Sequence, residues 1–261
     1  MNKGFSWQRS APFLTALVAL AAWQGIVTAL NVAPFLFPSP VRVLESTWIS
    51  RDLLWGASVS TFAESVVGFG GSALLGVFAA FVLTRAAWIE RSLVPYAVFL
   101  QTVPVIAIAP LLVLWFGIGF KAVAASSFLV AVFPVITATS AGLRSVDPEL
   151  RSLFQLYRAS RMQTLIRLEL PSSVPFVVAG LRASSGLAVI GAVVGEFVAG
   201  HSPGAPGLGY VIMSSYRQVD TPLLFSAVLH CSALGLLLYG SVGMVGHRLL
   251  SRWHASSEAS R

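Results

Sequence analysis

Six long apolar runs, separated by short polar connections, constrain this chain more than any other feature. They cover about residues 12–30, 60–84, 95–116, 122–143, 174–199 and 223–246. About 20 apolar residues span a bilayer as a helix, which satisfies its own backbone groups. Only 10% of the 261 residues are charged, against about 25% in soluble domains. The sequence predicts an all-α polytopic membrane protein with about six transmembrane helices, forming one domain over residues 1–261.

The first run has two interpretations, because Lys3 and Arg9 precede it as basic residues precede the apolar core of a signal peptide. Its apolar part is about as long as a membrane span, and no small-residue cleavage site follows, which favours an uncleaved helix. Four prolines lie in or beside the third and fourth runs: Pro95, Pro104, Pro110 and Pro134. Neighbouring membrane helices can re-satisfy the backbone groups that proline frees.

The basic residues predict the orientation of the chain. With the N-terminus inside, twelve of the 17 lie in cytoplasmic segments, four lie outside (Arg42, Arg51, Lys121 and Arg217), and Arg182 lies within the fifth run. An excess of Lys and Arg marks the cytoplasmic side. Both termini, residues 144–173 and a polar tail over 247–261 are therefore expected in the cytoplasm. The basic residues lie between apolar runs rather than over a soluble surface, which disfavours nucleic-acid binding.

The largest predicted cytoplasmic feature is DPELRSLFQLYRASRMQTLIRLELP, residues 147–171. Asp147 before Pro148 is typical of a helix start, with a capping carboxylate and proline at the first helical position. One face of that helix carries Leu150, Leu153, Phe154 and Tyr157, which are spaced i, i+3, i+4 and i+7. The segment therefore begins with a short amphipathic helix.

A second short helix is expected to follow, with Ser160 as its cap, apolar positions at Met162, Leu165 and Ile166, and Pro171 as its end. Two amphipathic helices suit a surface that lies against something. One interpretation is a basic loop on anionic lipid. A protein partner is favoured, because a lipid anchor is redundant in a protein with six spans.

The segment resembles the cytoplasmic signature loop of the inner-membrane permease subunits of bacterial ABC importers. That pattern is Glu-Ala-Ala, three residues, Gly, then nine residues before a hydrophobic residue and Leu-Pro. Here Leu168 and Leu170-Pro171 stand at the matching distance, and Ala159-Ser160 follow the glycine position. The chain departs from the pattern at Ser152-Leu153-Phe154 and at Arg158, which occupies the glycine position.

Further motifs are similar to the nitrate, sulfonate and taurine permeases and their relatives for thiamine-pyrimidine precursors and riboflavin. In chain order they are Phe37-Pro38-Ser39-Pro40, Ala109-Pro110-Leu111-Leu112, Trp115-Phe116-Gly117-Ile118-Gly119, residues 142–148, Leu170-Pro171 with Pro175, Gly180-Leu181-Arg182 and Gly207-Leu208-Gly209-Tyr210. Their order and spacing together carry the assignment.

The resemblance implies a type I importer permease fold in the bacterial cytoplasmic (inner) membrane. It implies a second permease copy, a cytoplasmic ABC ATPase dimer docked through the signature loops, and an extracytoplasmic substrate-binding protein. The chain lacks the glycine-rich Lys-Ser/Thr loop that cradles nucleotide phosphates. ATP and Mg are therefore expected on the ATPase, and this chain is expected to hold neither cofactor nor catalytic residue. The residues assigned to coupling are Asp147, Pro148, Leu150, Leu153, Phe154, Tyr157, Arg158, Ala159, Ser160, Leu168, Leu170 and Pro171.

Polar residues inside the runs are candidates for the substrate pathway: Glu64, Gln101, Thr102, Arg182 and Glu196. A charge at a helix centre costs roughly 2.5–3.5 kcal/mol on insertion scales. The alternative for Arg182 and Glu196 is a place near the headgroups or a satisfied pair. The resembled sulfonate-type permeases hold a basic residue at the position of Glu64. The acid favours a neutral or cationic heteroaromatic solute, such as a pyrimidine precursor or a flavin, with an anionic sulfonate, taurine or nitrate as the alternative.

Three other features leave alternatives open. The Gly191-x-x-x-Gly195 spacing fits either a seam between two permeases or a crossing within one subunit. Residues 200–222, rich in turn formers, are expected to contact the binding protein together with residues 31–58, or to form a connecting loop that re-enters slightly. The four histidines have no i, i+4 pair, so no metal site is expected. A secondary transporter is disfavoured by the lack of an internal repeat, and a membrane enzyme by the scatter of the acidic residues.

Overall fold

The computed structural model describes residues 7–85, 101–199 and 206–254, with the single positions 88, 92, 95 and 99. These residues form α-helices and one π-helical turn, and no strand. The helices are α1 (Trp7–Ala29), α2 (Pro40–Ile49), α3 (Arg51–Leu83), α4 (Val105–Phe116), α5 (Phe120–Arg144), α6 (Pro148–Leu156), α7 (Arg161–Thr164), then the π turn Leu165–Glu169, α8 (Leu170–Ala199), α9 (Leu208–Gln218) and α10 (Thr221–His254). The predicted all-α class is confirmed.

Within the described ranges, four helical stretches are long and apolar enough to cross a membrane: Arg51–Leu83, Phe120–Arg144, Arg161–Ala199 and Thr221–Arg248. They contain the second, fourth, fifth and sixth predicted spans. The first predicted span matches the shorter apolar stretch Phe13–Ala29, and the described part of the third includes α4. Most of residues 95–100 lies outside the described residues.

Two helices extend beyond the predicted apolar runs. Helix α3 begins at Arg51, nine residues before the second run, and follows a break at Ser50. Helix α10 continues to His254, into the predicted polar tail. Polar composition alone does not end a helix that has no proline or glycine at its end. The rest of that tail, residues 255–261, lies outside the described residues.

The bundle places small polar side chains inside and large apolar side chains outside. Residues with no exposed surface include Thr61, Ser65, Ser72, Ser126, Ser127, Ser184 and Ser185. Leu74, Phe78, Leu114 and Leu236 are each at least 66% exposed. In water this exposure would cost free energy, whereas in lipid the apolar side chains are solvated and small residues allow helices to approach closely. The pattern is that of a membrane helix bundle.

Helix α5 lies between α3 and α8 and contacts both extensively. On the α8 side, a Cβ atom at Gly191 would lie 2.8 Å from Ser127 Cα, and one at Gly195 would lie 2.9 Å from Ser126 Cβ. The Ser126 hydroxyl donates to the Gly191 carbonyl (2.8 Å), and the Ser127 hydroxyl donates to the Ala188 carbonyl (2.9 Å). The Gly191-x-x-x-Gly195 motif therefore packs helices within one subunit, which decides between the two interpretations of its spacing.

Two glycines make the turn between α4 and α5. Gly117 has φ +79° and Gly119 has φ +109°, a region that residues with a Cβ rarely adopt. The Gly117 N–H donates to the Val113 carbonyl and closes the end of α4. Pro110 and Pro134 lie inside α4 and α5, so these prolines are accommodated within helices as the sequence predicted.

Candidate functional site

The first candidate region is the signature segment, residues 147–171. The Asp147 side chain accepts a hydrogen bond from the Glu149 N–H (2.8 Å), and Pro148 is the first residue of α6. The predicted start of the helix is confirmed. An Asp cap satisfies a backbone donor that a helix end cannot pair internally.

The described part of the chain leaves the apolar face of α6 largely uncovered. Leu150 is 46% exposed, Leu153 is 44% exposed and Tyr157 is 78% exposed. Leu153, Phe154 and Tyr157 line a hollow of about 280 Å³, which is completed by Ala159, Gln163 and Arg167. An apolar face beside a shallow hollow, surrounded by arginines, is typical of a surface that binds another protein.

The turn between α6 and α7 contains one of the departures from the family pattern. Arg158 has φ +51°, which is the left-handed conformation that favours glycine. Arg158 occupies the position at which the signature pattern has glycine. Ser160 then caps α7, because its hydroxyl accepts from the Gln163 N–H (3.2 Å) while the Gln163 side chain accepts from the Ser160 N–H (2.7 Å). The predicted Ser160 cap is confirmed, as a reciprocal capping box.

The prediction that Pro171 ends the second short helix is wrong. Helix α7 passes through the π turn Leu165–Glu169 into α8, and Pro171 is the second residue of α8. In the π turn, the Leu170 N–H donates to the Leu165 carbonyl five residues earlier. This register shift suits a proline, which has no N–H to donate and normally displaces the preceding turn. Arg161–Ala199 is therefore one continuous helical stretch.

An ion pair ties α6 to that stretch. The Arg151 guanidinium lies 2.9 Å from the Glu169 carboxylate, 18 residues further along the chain. Both side chains are partly exposed, so the pair contributes little to stability by itself. Its consequence is geometric, since it restricts how α6 can turn relative to the start of α8.

The second candidate region lies where α3, α8 and α9 meet, and it contains two of the predicted pathway residues. Glu196 is 2% exposed. Its Oε1 accepts from the Thr61 hydroxyl (2.7 Å), and its Oε2 accepts from the Gly209 N–H (2.5 Å). Thr61 in turn accepts from the Leu208 N–H (2.8 Å). We call Thr61, Glu196, Leu208 and Gly209 the α9 cap, because the first two accept hydrogen bonds from the Leu208 and Gly209 N–H groups at the start of α9.

Glu64 lies one turn from Thr61 on α3 and is 1% exposed. Its carboxyl group contacts that of Glu196, and its Oε2 atom has no hydrogen-bond partner among the described residues. The structure thus brings together the two acidic pathway candidates, which are 132 positions apart in the sequence. They meet inside the helix bundle of one subunit.

The other three pathway candidates lie elsewhere. The Arg182 guanidinium lies over the Tyr239 ring of α10, 4.5 Å from its centroid. Gln101 and Thr102 are exposed and precede α4. Gln101 borders a cavity of about 270 Å³ with Val130, Phe133 and Leu187. The five residues therefore occupy three separate places, and their role in lining a pathway stays a prediction.

Residues 200–222 are not simply the loop that their turn formers suggested. Leu208–Gln218 forms α9, while residues 200–205 lie outside the described residues. Leu208, Val211 and Ser215 are buried, and Tyr216 is 70% exposed. The glycines at 207 and 209 suggest a turn by composition, but here they allow the close approach of α9 to Glu196.

Sequence reasoning missed Thr61 and the N-terminus of α9 as partners of Glu196. Thr61 shows no motif, since one threonine in an apolar helix is common and often bonds to its own backbone. The available signal was Gly207 and Gly209, whose lack of side chains permits a neighbour to approach.

The family comparison identifies the class of protein. Residues 72–252, more than half of the chain, match the family described as binding-protein-dependent transport system inner membrane component. The chain belongs to this family.

Individual relatives agree with the family match. The riboflavin transport system permease protein RibX of Chloroflexus aurantiacus is 34% identical over 97% of this chain and 93% of its own length. The formylaminopyrimidine transport permease protein ThiX of Halalkalibacterium halodurans is 33% identical over 94% of this chain and 96% of its own. The taurine transport system permease protein TauC of Escherichia coli is 25% identical over 92% and 88%.

The fold is also found in a solved structure, an inward-facing conformation of the MetNI methionine ABC transporter. Its matching chain is 19% identical, with a TM-score of 0.59 over 79% of this chain and 96% of that one. At this identity the likeness shows the fold alone, which is the type I importer permease fold. Together with the family, it makes this chain a multi-pass permease subunit of an ABC importer.

Proposed function

We propose that two copies of this permease form the membrane pathway of an importer for a small heteroaromatic solute. A cytoplasmic ATPase dimer drives the transport and carries the ATP and Mg, and an extracytoplasmic binding protein delivers the solute. The observation that carries the coupling role is the exposed apolar face of α6, which the Arg151–Glu169 ion pair ties to the continuous helical stretch Arg161–Ala199. A docking helix can displace a membrane helix only if the connection between them is stiff.

The solute class is supported by the relatives and by charge. The riboflavin and formylaminopyrimidine permeases are more similar to this chain than the taurine permease is. Glu64 supplies no positive charge that would attract an anion near α3. The Arg182 guanidinium is already engaged with the Tyr239 ring.

The lining of one groove also supports an aromatic solute. A groove of about 820 Å³ lies between α8 and α10, and its lining is mainly apolar, including Leu187, Val194, Phe197 and Tyr239. Apolar and aromatic surfaces bind flat organic rings, whereas a small anion requires several converging donors.

Uptake into proteoliposomes tests the solute class. The permease is reconstituted with its ATPase and binding protein, and ATP-dependent uptake of riboflavin, formylaminopyrimidine and taurine is compared. We expect uptake of riboflavin or the pyrimidine and none of taurine. If taurine alone is taken up, the transported solute belongs to the anionic class instead. Uptake that is independent of ATP would contradict the coupled mechanism itself.

A further inference from the structure

The helix that follows the signature segment is long enough to connect two distant parts of the molecule. Arg161–Ala199 contains 39 residues without a break, which corresponds to roughly 57 Å at 1.5 Å per residue. One end is tied to α6 by the Arg151–Glu169 ion pair. Glu196 lies three residues before the other end. A displacement of the signature segment can therefore reach Glu196 through a single helix.

At that other end, α9 has no cap of its own. Its N-cap residue is Gly207, which supplies no side-chain hydrogen bond. The N–H groups of Leu208 and Gly209 are satisfied instead by Thr61 of α3 and Glu196 of α8. Since an uncapped helix start leaves backbone donors unpaired, α9 depends on two other helices for its first turn.

Helix α9 packs so closely against α8 that neither Gly207 nor Gly209 has space for a side chain. A Cβ atom at Gly207 would overlap the Glu196 carboxyl group, and one at Gly209 would lie 2.8 Å from Glu196 Cβ. The inner face of α9 is buried at Leu208, Val211 and Ser215. Its C-terminal part carries the exposed Tyr216 and Arg217. Helix α9 therefore has an anchored face and a free face.

We propose that Thr61 and Glu196 are positioning residues that lock α9 to the end of the Arg161–Ala199 helix, so that displacement of the signature segment moves α9. The proposal rests on the proposed function, because it needs an ATPase that displaces the signature segment. It assigns to the buried polar groups of the α9 cap a mechanical role, and it makes the exposed face of α9 the surface that changes position.

The test uses a cysteine reporter on the buried face of α9. Ser215 is 2% exposed and its hydroxyl has no hydrogen-bond partner among the described residues, so Ser215→Cys disturbs little. Cys231 is replaced by Ser. The permease–ATPase complex is reconstituted in proteoliposomes, and alkylation by N-ethylmaleimide is timed without nucleotide and after trapping with ATP and vanadate. We expect trapping to change the alkylation rate at least about threefold in the otherwise unchanged protein, by moving the buried face of α9.

Thr61→Val removes the hydroxyl that makes both Thr61 hydrogen bonds while keeping the side-chain volume. We expect it to raise the alkylation rate about tenfold, since it uncaps α9, and to abolish the response to trapping. Thr61→Ser keeps the hydroxyl. We expect it to show the alkylation rate of the parent and the response of the parent to trapping. The matched control is Thr137→Val on α5, because the Thr137 hydroxyl bonds only within its own helix and its loss should change neither property.

Two results would overturn the proposal. One is a Thr61→Val protein that is alkylated as slowly as the parent, and the other is one that is alkylated rapidly but still responds to trapping. If Thr61→Val does not assemble, Glu196→Leu decides: it removes both acceptor oxygens that hold Thr61 and the Gly209 N–H, and parent-like behaviour would reject the lock. A failure of the proposed function has a different signature, namely a parent complex in which no ATPase is bound.

Discussion

The glycines of α8 have different surroundings although they share one helix. A Cβ atom at Gly191 would lie 2.8 Å from Ser127 Cα and 2.9 Å from the Ser126 carbonyl oxygen. A Cβ atom at Gly186 would meet no atom within 4 Å among the described residues, apart from its chain neighbours and the nearby backbone of its own helix. Backbone atoms cannot rotate away as side chains can, so a methyl group at Gly191 requires α5 and α8 to separate.

Gly191→Ala is therefore expected to lower the free energy of unfolding in detergent by about 1–3 kcal/mol, as overpacking does. Gly186→Ala is the matched control, and we expect it to change that free energy by no more than about 0.5 kcal/mol, as for a substitution that meets no neighbour. Thermal unfolding followed by tryptophan fluorescence measures both. Equal transition temperatures for the two variants would contradict the close crossing of α5 and α8.

Helix α6 exposes both its apolar face and its polar face. Leu153 and Phe154 lie on the apolar face, and Ser152 lies on the opposite face by helical periodicity. A charge placed on the apolar face has to be desolvated when a partner covers that face, whereas a charge on the opposite face keeps its water.

Leu153→Asp and Phe154→Asp are each expected to abolish copurification of the ATPase while leaving the permease inserted in the membrane. Ser152→Asp adds the same charge on the opposite face and is expected to retain the ATPase. The measurement is a pull-down of the tagged permease in a mild detergent, with mass spectrometry of the bound chains. If the amount of copurified ATPase is undiminished in both apolar-face variants, α6 is not part of the docking surface.

The distribution of basic residues along the whole chain predicts its orientation in the membrane. Twelve basic residues lie in segments assigned to the cytoplasm, and four lie in segments assigned to the outside. In that orientation, α2 lies outside and α6 lies inside. Trp48 on α2 is 71% exposed and Leu156 on α6 is 78% exposed, so both positions suit accessibility probes.

In a Cys231→Ser background, Trp48→Cys is expected to react with a membrane-impermeant maleimide in intact cells. Leu156→Cys should react only after the cells are permeabilised, since the reagent cannot cross the bilayer. Quantitative labelling of the two sites measures the orientation. The reverse pattern of labelling would place both termini outside and would contradict the positive-inside assignment.

Short sequence patterns were enough to predict the membrane class, four of the six helical spans, the start of α6 and the Ser160 cap. Each of these depends on residues close together in the chain, such as an apolar run or a side chain that bonds a backbone N–H two or three positions away. The family resemblance was also visible in the sequence, because it rests on ordered short motifs.

The contact partners of Glu196 and Gly191 became clear only from the tertiary structure. Glu196 meets Thr61, 135 positions away, and Gly191 meets Ser127 on a different helix. The continuation of the helix through Pro171 depends on a π turn, which proline alone does not specify. A buried polar group takes whichever partner the packed helices bring to it, so its partner follows from the arrangement of the bundle rather than from the local sequence.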